Sequence, residues 1–356
     1  MKRNIFRICC CAVLAVCIAA SSAGCSLIPG ISKVDNNGNS ASAVEGTEYV
    51  EMEDNVCGDS ATFTLSKDGV LTISGSGSIY DSDKHLFGWA FYKDDIKKII
   101  VENGITSIGD GAFNDCQAEE VEIADTVTKV SDFAFSGCRK LKRIVIPEAV
   151  NYLGVECFVN CDELEEVIIN GSIERLASNM FKNCQKLKKV VLPDTVKSIG
   201  TEAFLSCYEL SDLNVPSKLE KIEENAFYYC TSLETFDLPD TVFELGEMVF
   251  NNCKSLKRIN VPAKVQTLED HMFMGCISLE TIKLEEGLTT IDSGAFASCT
   301  AVKELVIPSS VSMINSSAFG KMTADQTIII KGKSSATSNW DPEWDGHCSS
   351  KIVWNG

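Results

Sequence analysis

The chain has 356 residues, enough for two or three ordinary domains or for one elongated array whose core grows by stacking. It carries 32 Lys and Arg against 50 Asp and Glu, a formal net charge of −18. This acidity, which no basic block offsets, argues against nucleic acid as a partner and against unaided binding to an anionic membrane.

The N-terminus has the pattern of an export signal. The basic residues Lys2 and Arg3 begin the chain, an apolar stretch covers residues 8–20, and small residues precede Cys25. The apolar stretch is too short to cross a bilayer comfortably. We therefore predict a signal peptide, removed on export, over residues 1–24.

Ala23-Gly24-Cys25 resembles the end of the bacterial lipoprotein signal, in which the cysteine is acylated on sulfur and becomes the first mature residue. This resemblance implies lipid attachment at Cys25 and a protein anchored at the bacterial cell surface. Ser22 stands where that signal usually has leucine, so ordinary cleavage followed by secretion is the alternative.

Residues 25–55 are rich in Ser, Asn, Gly, Asp and Glu and have no apolar periodicity. Such a composition predicts a disordered tether behind the lipid anchor. A flexible chain of this length extends about 30 Å in root-mean-square terms, enough to hold a domain clear of a crowded membrane surface.

A fixed internal repeat follows the tether. Ten phenylalanines recur with a first step of 22 residues and later steps of 23: Phe113, Phe135, Phe158, Phe181, Phe204, Phe227, Phe250, Phe273, Phe296 and Phe319. Nine are followed three residues later by cysteine: Cys116, Cys138, Cys161, Cys184, Cys207, Cys230, Cys253, Cys276 and Cys299. The first unit lacks one residue between Cys116 and Val121, so we expect it to be irregular. A fixed period of this length is typical of stacked repeats.

Each unit contains one predicted short strand. After the cysteine, apolar and polar residues alternate, as in Leu256-Lys257-Arg258-Ile259-Asn260-Val261, which puts one face of the strand in a core. A proline ends most of these strands, where a missing N–H is tolerated. The strand is followed by two more apolar positions.

Phe and Cys, three residues apart, predict neighbours on one face of a short helical turn. Because no unit can bury its apolar face alone, the units must stack and fuse their columns into one core. We therefore predict an α/β, β-rich, right-handed solenoid with one short parallel strand and one short helical turn per repeat.

The pattern Leu-x-x-Ile-x-Ile-Pro-x-x-Val-x-x-Ile-Gly-x-x-Ala-Phe-x-x-Cys resembles the BspA-like (treponemal-type) leucine-rich repeat of bacterial surface proteins. The match covers about ten repeats over residues 97–330. Residues 56–96, with Trp89, look like the segment that precedes such repeats, and residues 331–356, with Trp340, look like the closing segment. The resemblance implies a leucine-rich-repeat solenoid with a cap over the exposed edge at each end.

The 17 cysteines raise the question of metal or disulfide chemistry. A single file of stacked sulfurs cannot easily place four ligands around one zinc ion, and disulfides along it would be strained. A buried thiol packs well as a small apolar group, so we interpret the column, and also Cys157, as core. Cys57 and Cys348 lie in opposite caps and are not expected to pair.

No catalytic constellation is visible, and we predict neither enzymatic activity nor a cofactor or metal site. The three histidines, His85, His271 and His347, are each solitary in sequence, and His347 beside Cys348 is the only adjacent Cys–His pair. Neighbouring residues rarely point at one another, whereas a nucleophile usually meets its base across the fold. The chain has no phosphate-binding glycine loop and no His-Glu-x-x-His or Gly-x-Ser-x-Gly motif.

The outward strand positions carry charges that alternate in sign between neighbouring units. They read Lys142-Arg143, Glu165-Glu166, Lys188-Lys189, Ser211-Asp212, Glu234-Thr235, Lys257-Arg258, Glu280-Thr281 and Lys303-Glu304. Opposite charges on adjacent strands attract, so these residues are interpreted as ladders that set the register of a solvated sheet. A face that binds polyanions would instead carry one sign throughout.

Tyr208, Tyr228 and Tyr229 lie beside the Phe and Cys columns of adjacent units and are the candidate contact surface. Tyrosine is favoured in interfaces, although it also covers core edges in ordinary solenoids.

The combined features predict a non-enzymatic cell-surface lipoprotein that presents its repeats for protein–protein binding or adhesion. The family resemblance implies a host or neighbouring-cell protein as partner, with a glycan as a further option. The alternative is a lipoprotein that captures a solute or glycan for a transporter. A deep pocket with convergent polar groups would favour capture, and a smooth open face would favour adhesion.

Overall fold

A computed structural model describes residues 48–52 and 54–356 of the chain. The predicted signal peptide, Cys25 and most of the predicted tether lie outside these residues. The repeat region is a parallel β-solenoid of about eleven turns, each made by one unit and called a rung below. The predicted leucine-rich-repeat solenoid is therefore confirmed.

All but one of the rungs contribute a first strand of two to five residues, and nearly every rung adds a second strand of two to four. In chain order the strands are β1 (Ser60–Leu65), β2 (Val70–Ser78), β3 (Lys98–Val101), β4 (Ile105–Ile108), β5 (Glu120–Ile123), β6 (Lys129–Val130), β7 (Arg143–Ile146), β8 (Tyr152–Leu153), β9 (Glu166–Ile169), β10 (Arg175–Leu176), β11 (Lys189–Val191), β12 (Ser198–Ile199), β13 (Asp212–Leu213), β14 (Lys221–Ile222), β15 (Glu244–Leu245), β16 (Arg258–Val261), β17 (Thr267–Leu268), β18 (Thr281–Leu284), β19 (Thr290–Ile291), β20 (Glu304–Ile307), β21 (Met313–Ile314), β22 (Thr327–Lys331) and β23 (Lys351–Asn355).

The first strands form parallel ladders because the apolar and polar positions repeat in register. Arg143 pairs with Glu166, which in turn pairs with Lys189, so each strand matches the equivalent residue of the next rung. In the rung between β13 and β16, the first strand is replaced by one residue, Thr235, which forms an isolated bridge to Arg258 of the next rung. The second strands, from β4 to β21, build a separate set of parallel ladders on another side of the coil.

The segment predicted as a helical turn is a tight turn that does not continue into an α-helix. The amide of Cys138 donates to the carbonyl of Phe135 three residues back, at 3.2 Å. Gly137, between them, has a φ of +71°, which would interrupt a right-handed helix. Within residues 48–52 and 54–356 the one helix is a 3-10 helix over Gly88–Tyr92.

Residues two before and two after each phenylalanine have positive φ, as in Phe133 (+57°) and Gly137 (+71°). This backbone directs alternate N–H groups towards the next rung. Phe133, Phe135 and Gly137 donate to carbonyls of that rung at 3.0, 2.9 and 2.8 Å. The turn side is therefore a third hydrogen-bonded ladder, which satisfies backbone groups that the strands leave unpaired.

The phenylalanines form one continuous stack through the core. Consecutive rings from Phe113 to Phe319 are 5.1 to 5.8 Å apart between centroids. Trp89 stacks on Phe113 at 5.8 Å, and Trp344 meets Phe319 edge to face at 5.7 Å. Each rung thus covers the next, and a tryptophan covers each end of the stack.

Both ends of the solenoid are capped. The antiparallel hairpin of β1 and β2 closes the N-terminal end, and β2 pairs with both β3 and β4. At the other end β23 pairs with β22, and three tryptophan rings, Trp340, Trp344 and Trp354, lie 5.0 to 6.2 Å apart. No helix in the described part of the chain is long and apolar enough to span a membrane.

Candidate binding surface

The strand face, defined as the outward side of the first strands, carries the predicted charge ladders. Rungs pair through Lys142–Glu119 at 2.8 Å, Lys188–Glu165 at 3.0 Å and Lys257–Glu234 at 2.7 Å, measured from nitrogen to oxygen. Solvent screens exposed pairs of this kind, so each contributes little to stability. Opposite charges therefore do meet between neighbouring rungs, and their role in setting the register stays a prediction.

A second outward column lies two positions further along each strand. It is apolar and half-buried near the start and the end of the array and polar in the middle: Ile100, Val145, Ile168, Val191, Asn214, Asp237, Asn260, Lys283, Val306 and Ile329, with Glu122 as an acidic member early on. This column is not among the predicted features, although apolar residues two positions after Arg143 and Glu166 were a visible signal. It gives the strand face an apolar stripe between charged rows.

The strand ladder opens at three places. Between β5 and β7 only Glu120 and Arg143 pair, the ladder is reduced to a bridge after β13, and it stops between β18 and β20. At each opening two residues of the inward columns become half-exposed: Val121 and Ile123, Leu213 and Val215, and Ile282 and Leu284. Core side chains are thus accessible from the strand face at these points.

The first opening forms a cleft of about 810 Å³, called the β5–β7 cleft below. Its lining is Glu119, Glu120, Val121, Glu122, Ile123, Asp125, Lys142, Arg143, Val145, Pro147, Glu148 and Asn170. The opening coincides with the unit that lacks one residue, which was expected to be irregular. The cleft therefore combines apolar side chains from the core and stripe with five carboxylates and two basic groups.

The candidate tyrosines lie at the turn side of the array. Tyr228 and Tyr229 contact each other edge to face, with centroids 4.6 Å apart, and both are half-buried. Tyr208, in the preceding rung, is 40% exposed, and its carbonyl accepts hydrogen bonds from Thr231 and Ser232 of the next rung. Burial, followed by the nearby Tyr229, raises the pKa of Tyr228 above its ordinary value. Their role as a contact surface stays a prediction.

The cysteine column is buried and free of disulfides among the described residues. Each thiol after the first donates to the carbonyl of the preceding rung's phenylalanine, for example Cys207 to Phe181 at 3.1 Å. Burial raises the pKa of Cys116 and of Cys299 to about 12, so the reactive thiolate is not formed at neutral pH. Besides filling the core, these thiols therefore satisfy backbone carbonyls, a role that spacing alone did not indicate.

Acidic side chains gather on the side of the second strands near Glu269. Burial, then Asp292, Glu247 and Asp270, raises the pKa of Glu269 above its ordinary value. No group of three or more His, Cys, Asp or Glu side chains in residues 48–52 and 54–356 is placed to hold a metal ion. The carboxylates of this cluster repel one another because they lie close together.

The histidines occupy three separate places. The ring of His85 lies between Tyr80 and Phe87 in the N-terminal cap, with both centroid distances 5.2 Å. His271 lies in a tight turn with a φ of +54°, and the amide of His347 donates to Asp345 in the C-terminal cap. No histidine in the described part of the chain hydrogen-bonds to a cysteine or a serine side chain.

The stacked rungs, the capped ends and the outward strand face define a leucine-rich-repeat solenoid, a scaffold whose extended surface is typical of protein-binding surface proteins. The profile described as BspA type Leucine rich repeat region, with six copies, matches residues 88–211 and 197–325. The chain therefore belongs to the BspA-type leucine-rich-repeat family.

One solved bacterial structure supports the same fold, and two others are similar to this chain. A leucine-rich repeat protein from Bacteroides ovatus shares 22% identity with a TM-score of 0.54 and covers 87% of this chain and 90% of its own. One from Eubacterium ventriosum shares 22% identity with a TM-score of 0.49, covering 82% and 94%. A leucine rich cell surface protein from Faecalibacterium prausnitzii shares 26% identity with a TM-score of 0.41, covering 84% and 98%. No curated protein matches the chain.

Proposed function

We propose that this chain is an exported, lipid-anchored cell-surface protein that binds other proteins through its repeat array and does no catalysis. The observation that carries the proposal is the difference between the inward and outward side chains of each rung. The inward Phe, Cys and Leu columns are buried in the core. The strand face, in contrast, has half-buried apolar side chains between rows of paired charges, where a partner could contact them. An extended surface of this kind suits a protein partner better than a small substrate.

The anchor is proposed from Ala23-Gly24-Cys25 and is tested separately. Full-length chain and its Cys25→Ser variant are expressed in a bacterium fed with labelled palmitate. We expect label and membrane association in the first and neither in the second. Mass spectrometry of the mature N-terminus that finds an unmodified Cys25, or a cut elsewhere, would overturn the lipid anchor and favour secretion.

Adhesion is tested with bacteria that display the full chain. Cells with and without the chain are applied to immobilised extracellular proteins and to an array of glycans. We expect chain-dependent attachment to one or a few proteins, competed by soluble chain. Attachment to glycans alone would contradict protein binding.

The second candidate, capture of a solute or glycan for a transporter, has one observation in its favour. The β5–β7 cleft is large enough, at about 810 Å³, for a small ligand. Saturable binding of a free sugar or amino acid, without attachment to any protein, would support capture and overturn the adhesion proposal.

A further inference from the structure

We infer that the β5–β7 cleft binds an extended, basic segment of a partner protein, in which lysine or arginine alternates with apolar residues. This inference rests on the proposed function, because it names the kind of partner segment that the strand face would hold. It is carried by the apolar floor of the cleft, the charge of its rim and the opened strand ladder.

The floor of the cleft is made of side chains that are core elsewhere. Val121 and Ile123 are half-exposed, whereas Ile99 and Ile144, in the same column as Val121, are 0% and 1% exposed. Val145 of the apolar stripe adds to this floor. Water is therefore in contact with apolar surface that a ligand's aliphatic groups could cover.

The rim of the cleft carries more acidic than basic side chains. Five carboxylates line the cleft against the two basic residues Lys142 and Arg143. Those two are engaged, since Lys142 pairs with Glu119 at 2.8 Å and Arg143 pairs with Glu166 in the next rung. Glu120 and Glu122 both pair with Lys98 of β3. Asp125 and Glu148 are therefore the rim charges that remain available to a ligand.

Two of the rim carboxylates have no partner of their own. Within residues 48–52 and 54–356, neither Asp125 nor Glu148 makes an ion pair or a side-chain hydrogen bond, and both are exposed. They lie where the strands end, on either side of the opening. A cationic side chain could reach them without displacing an existing pair.

The opening also suits an extended backbone. β5 and β7 pair only at Glu120 and Arg143, so beyond that point the two strands do not complete their ladder. Lysine and arginine have long aliphatic stems that cover apolar surface while their charged ends reach carboxylates. An extended segment alternates its side chains between two sides, so alternate residues can meet the floor and the rim.

The test uses the full chain and short synthetic peptides. The probes are a peptide of alternating lysine and valine, one of alternating lysine and glycine, and one of alternating glutamate and valine. We expect the lysine–valine peptide to bind best, more weakly as salt is raised, and the glutamate–valine peptide not to bind. Equal binding of all three would overturn the inference.

Matched variants distinguish peptide binding at the cleft from non-specific attraction to an acidic protein. Asp125→Asn with Glu148→Gln removes the two unpaired rim charges, and Glu280→Gln with Glu304→Gln removes two charges from the same face away from the cleft. We expect the first pair to weaken lysine–valine binding about fivefold and the second to leave it unchanged. Equal losses in both, or no loss in the first, would overturn the inference. Thermal unfolding of both variants checks that they fold like the parent chain.

The two proposals can fail independently. If a captured protein partner binds the Asp125→Asn, Glu148→Gln chain as tightly as the parent, the cleft inference is overturned and protein binding stands. If no protein is captured but the peptide binds with the expected dependence on these carboxylates, the cleft chemistry stands and the adhesion proposal fails.

Discussion

At the scale of single residues, the left-handed positions of the turn explain which side chains the repeat tolerates. The position two after the phenylalanine has positive φ in all rungs from Asp115 to Lys321. It often holds glycine or asparagine, the residues that adopt this conformation at least cost, as at Asn160 and Asn183. Lys321 and Tyr229 are exceptions, with φ of +64° and +62°.

Lys321→Asn is expected to stabilise the chain by about 0.5–1 kcal/mol, because it relieves the strain of a long side chain in the left-handed region. Lys321 is exposed and takes part in no ion pair among the described residues, so little packing is lost. Urea unfolding followed by circular dichroism measures the change. A less stable variant would show that the backbone strain had been overestimated.

The buried thiols give a second prediction at this scale. Of the twelve described cysteines, Cys348 is half-buried and the others are buried. We expect brief alkylation of the folded chain, read out by site-resolved mass spectrometry, to label Cys348 and to spare the column until the chain is unfolded. Rapid labelling of Cys207 in the folded state would contradict a packed column.

At the scale of elements, the stack of phenylalanines couples each rung to the next. Phe204 lies 5.4 Å from Phe181 and 5.1 Å from Phe227, centroid to centroid, and is fully buried. Phe204→Ala is expected to cost about 3–5 kcal/mol, because it leaves a cavity that neighbouring rungs cannot fill. Phe204→Leu is the control and should cost about half as much. A loss below about 1 kcal/mol for alanine would mean that the rungs collapse onto the gap.

The acidic cluster around Glu269 predicts a pH dependence. Because the pKa of Glu269 is raised in the folded chain, its contribution to stability is greatest below the ordinary glutamate pKa and declines as the pH rises through the raised value. Glu269→Gln should therefore stabilise the chain at neutral pH by some tenths of a kcal/mol, since solvent screens the repulsion. The gain should vanish at pH values below about 4.

Unfolding curves at neutral and acidic pH measure this effect, with Glu280→Gln on the strand face as control. A gain from Glu269→Gln that is the same at both pH values would mean that the repulsion from Asp292, Glu247 and Asp270 is not its cause.

The repeat spacing predicts the columns well but not the breaks between strands. The periodic Phe and Cys positions identify the core side chains and the alternation after Cys identifies the first strands, because both depend on local pattern. The openings depend on how whole rungs pack against each other, which a local pattern does not encode. Of the three openings, only the one near Val121 is indicated by the sequence, because that unit lacks one residue. The three-residue spacing of Phe and Cys predicts a helical turn, which the structure does not show. The frequent Gly, Asn, Asp and Ser between Phe and Cys indicate the positive φ that the structure has there instead.

At the scale of the whole molecule, any binding site must lie on the outer surface, because the inward side chains are buried between stacked rungs. The strand face adds an apolar stripe and the β5–β7 cleft to the tyrosines that sequence reasoning had proposed. Tyr208, Tyr228 and Tyr229 and the cleft lie in different rungs and on different sides of the coil, so they are separable hypotheses about contact.

The most direct measurement for protein binding is an equilibrium titration of purified full chain against the proteins retained on an array of extracellular proteins. We predict saturable binding to at least one folded protein at physiological salt. The Tyr228→Ala, Tyr229→Asn chain and the Asp125→Asn, Glu148→Gln chain then report which surface is used. A chain that is fully folded, retains no protein, and instead binds a free sugar or turns over a substrate would contradict the account.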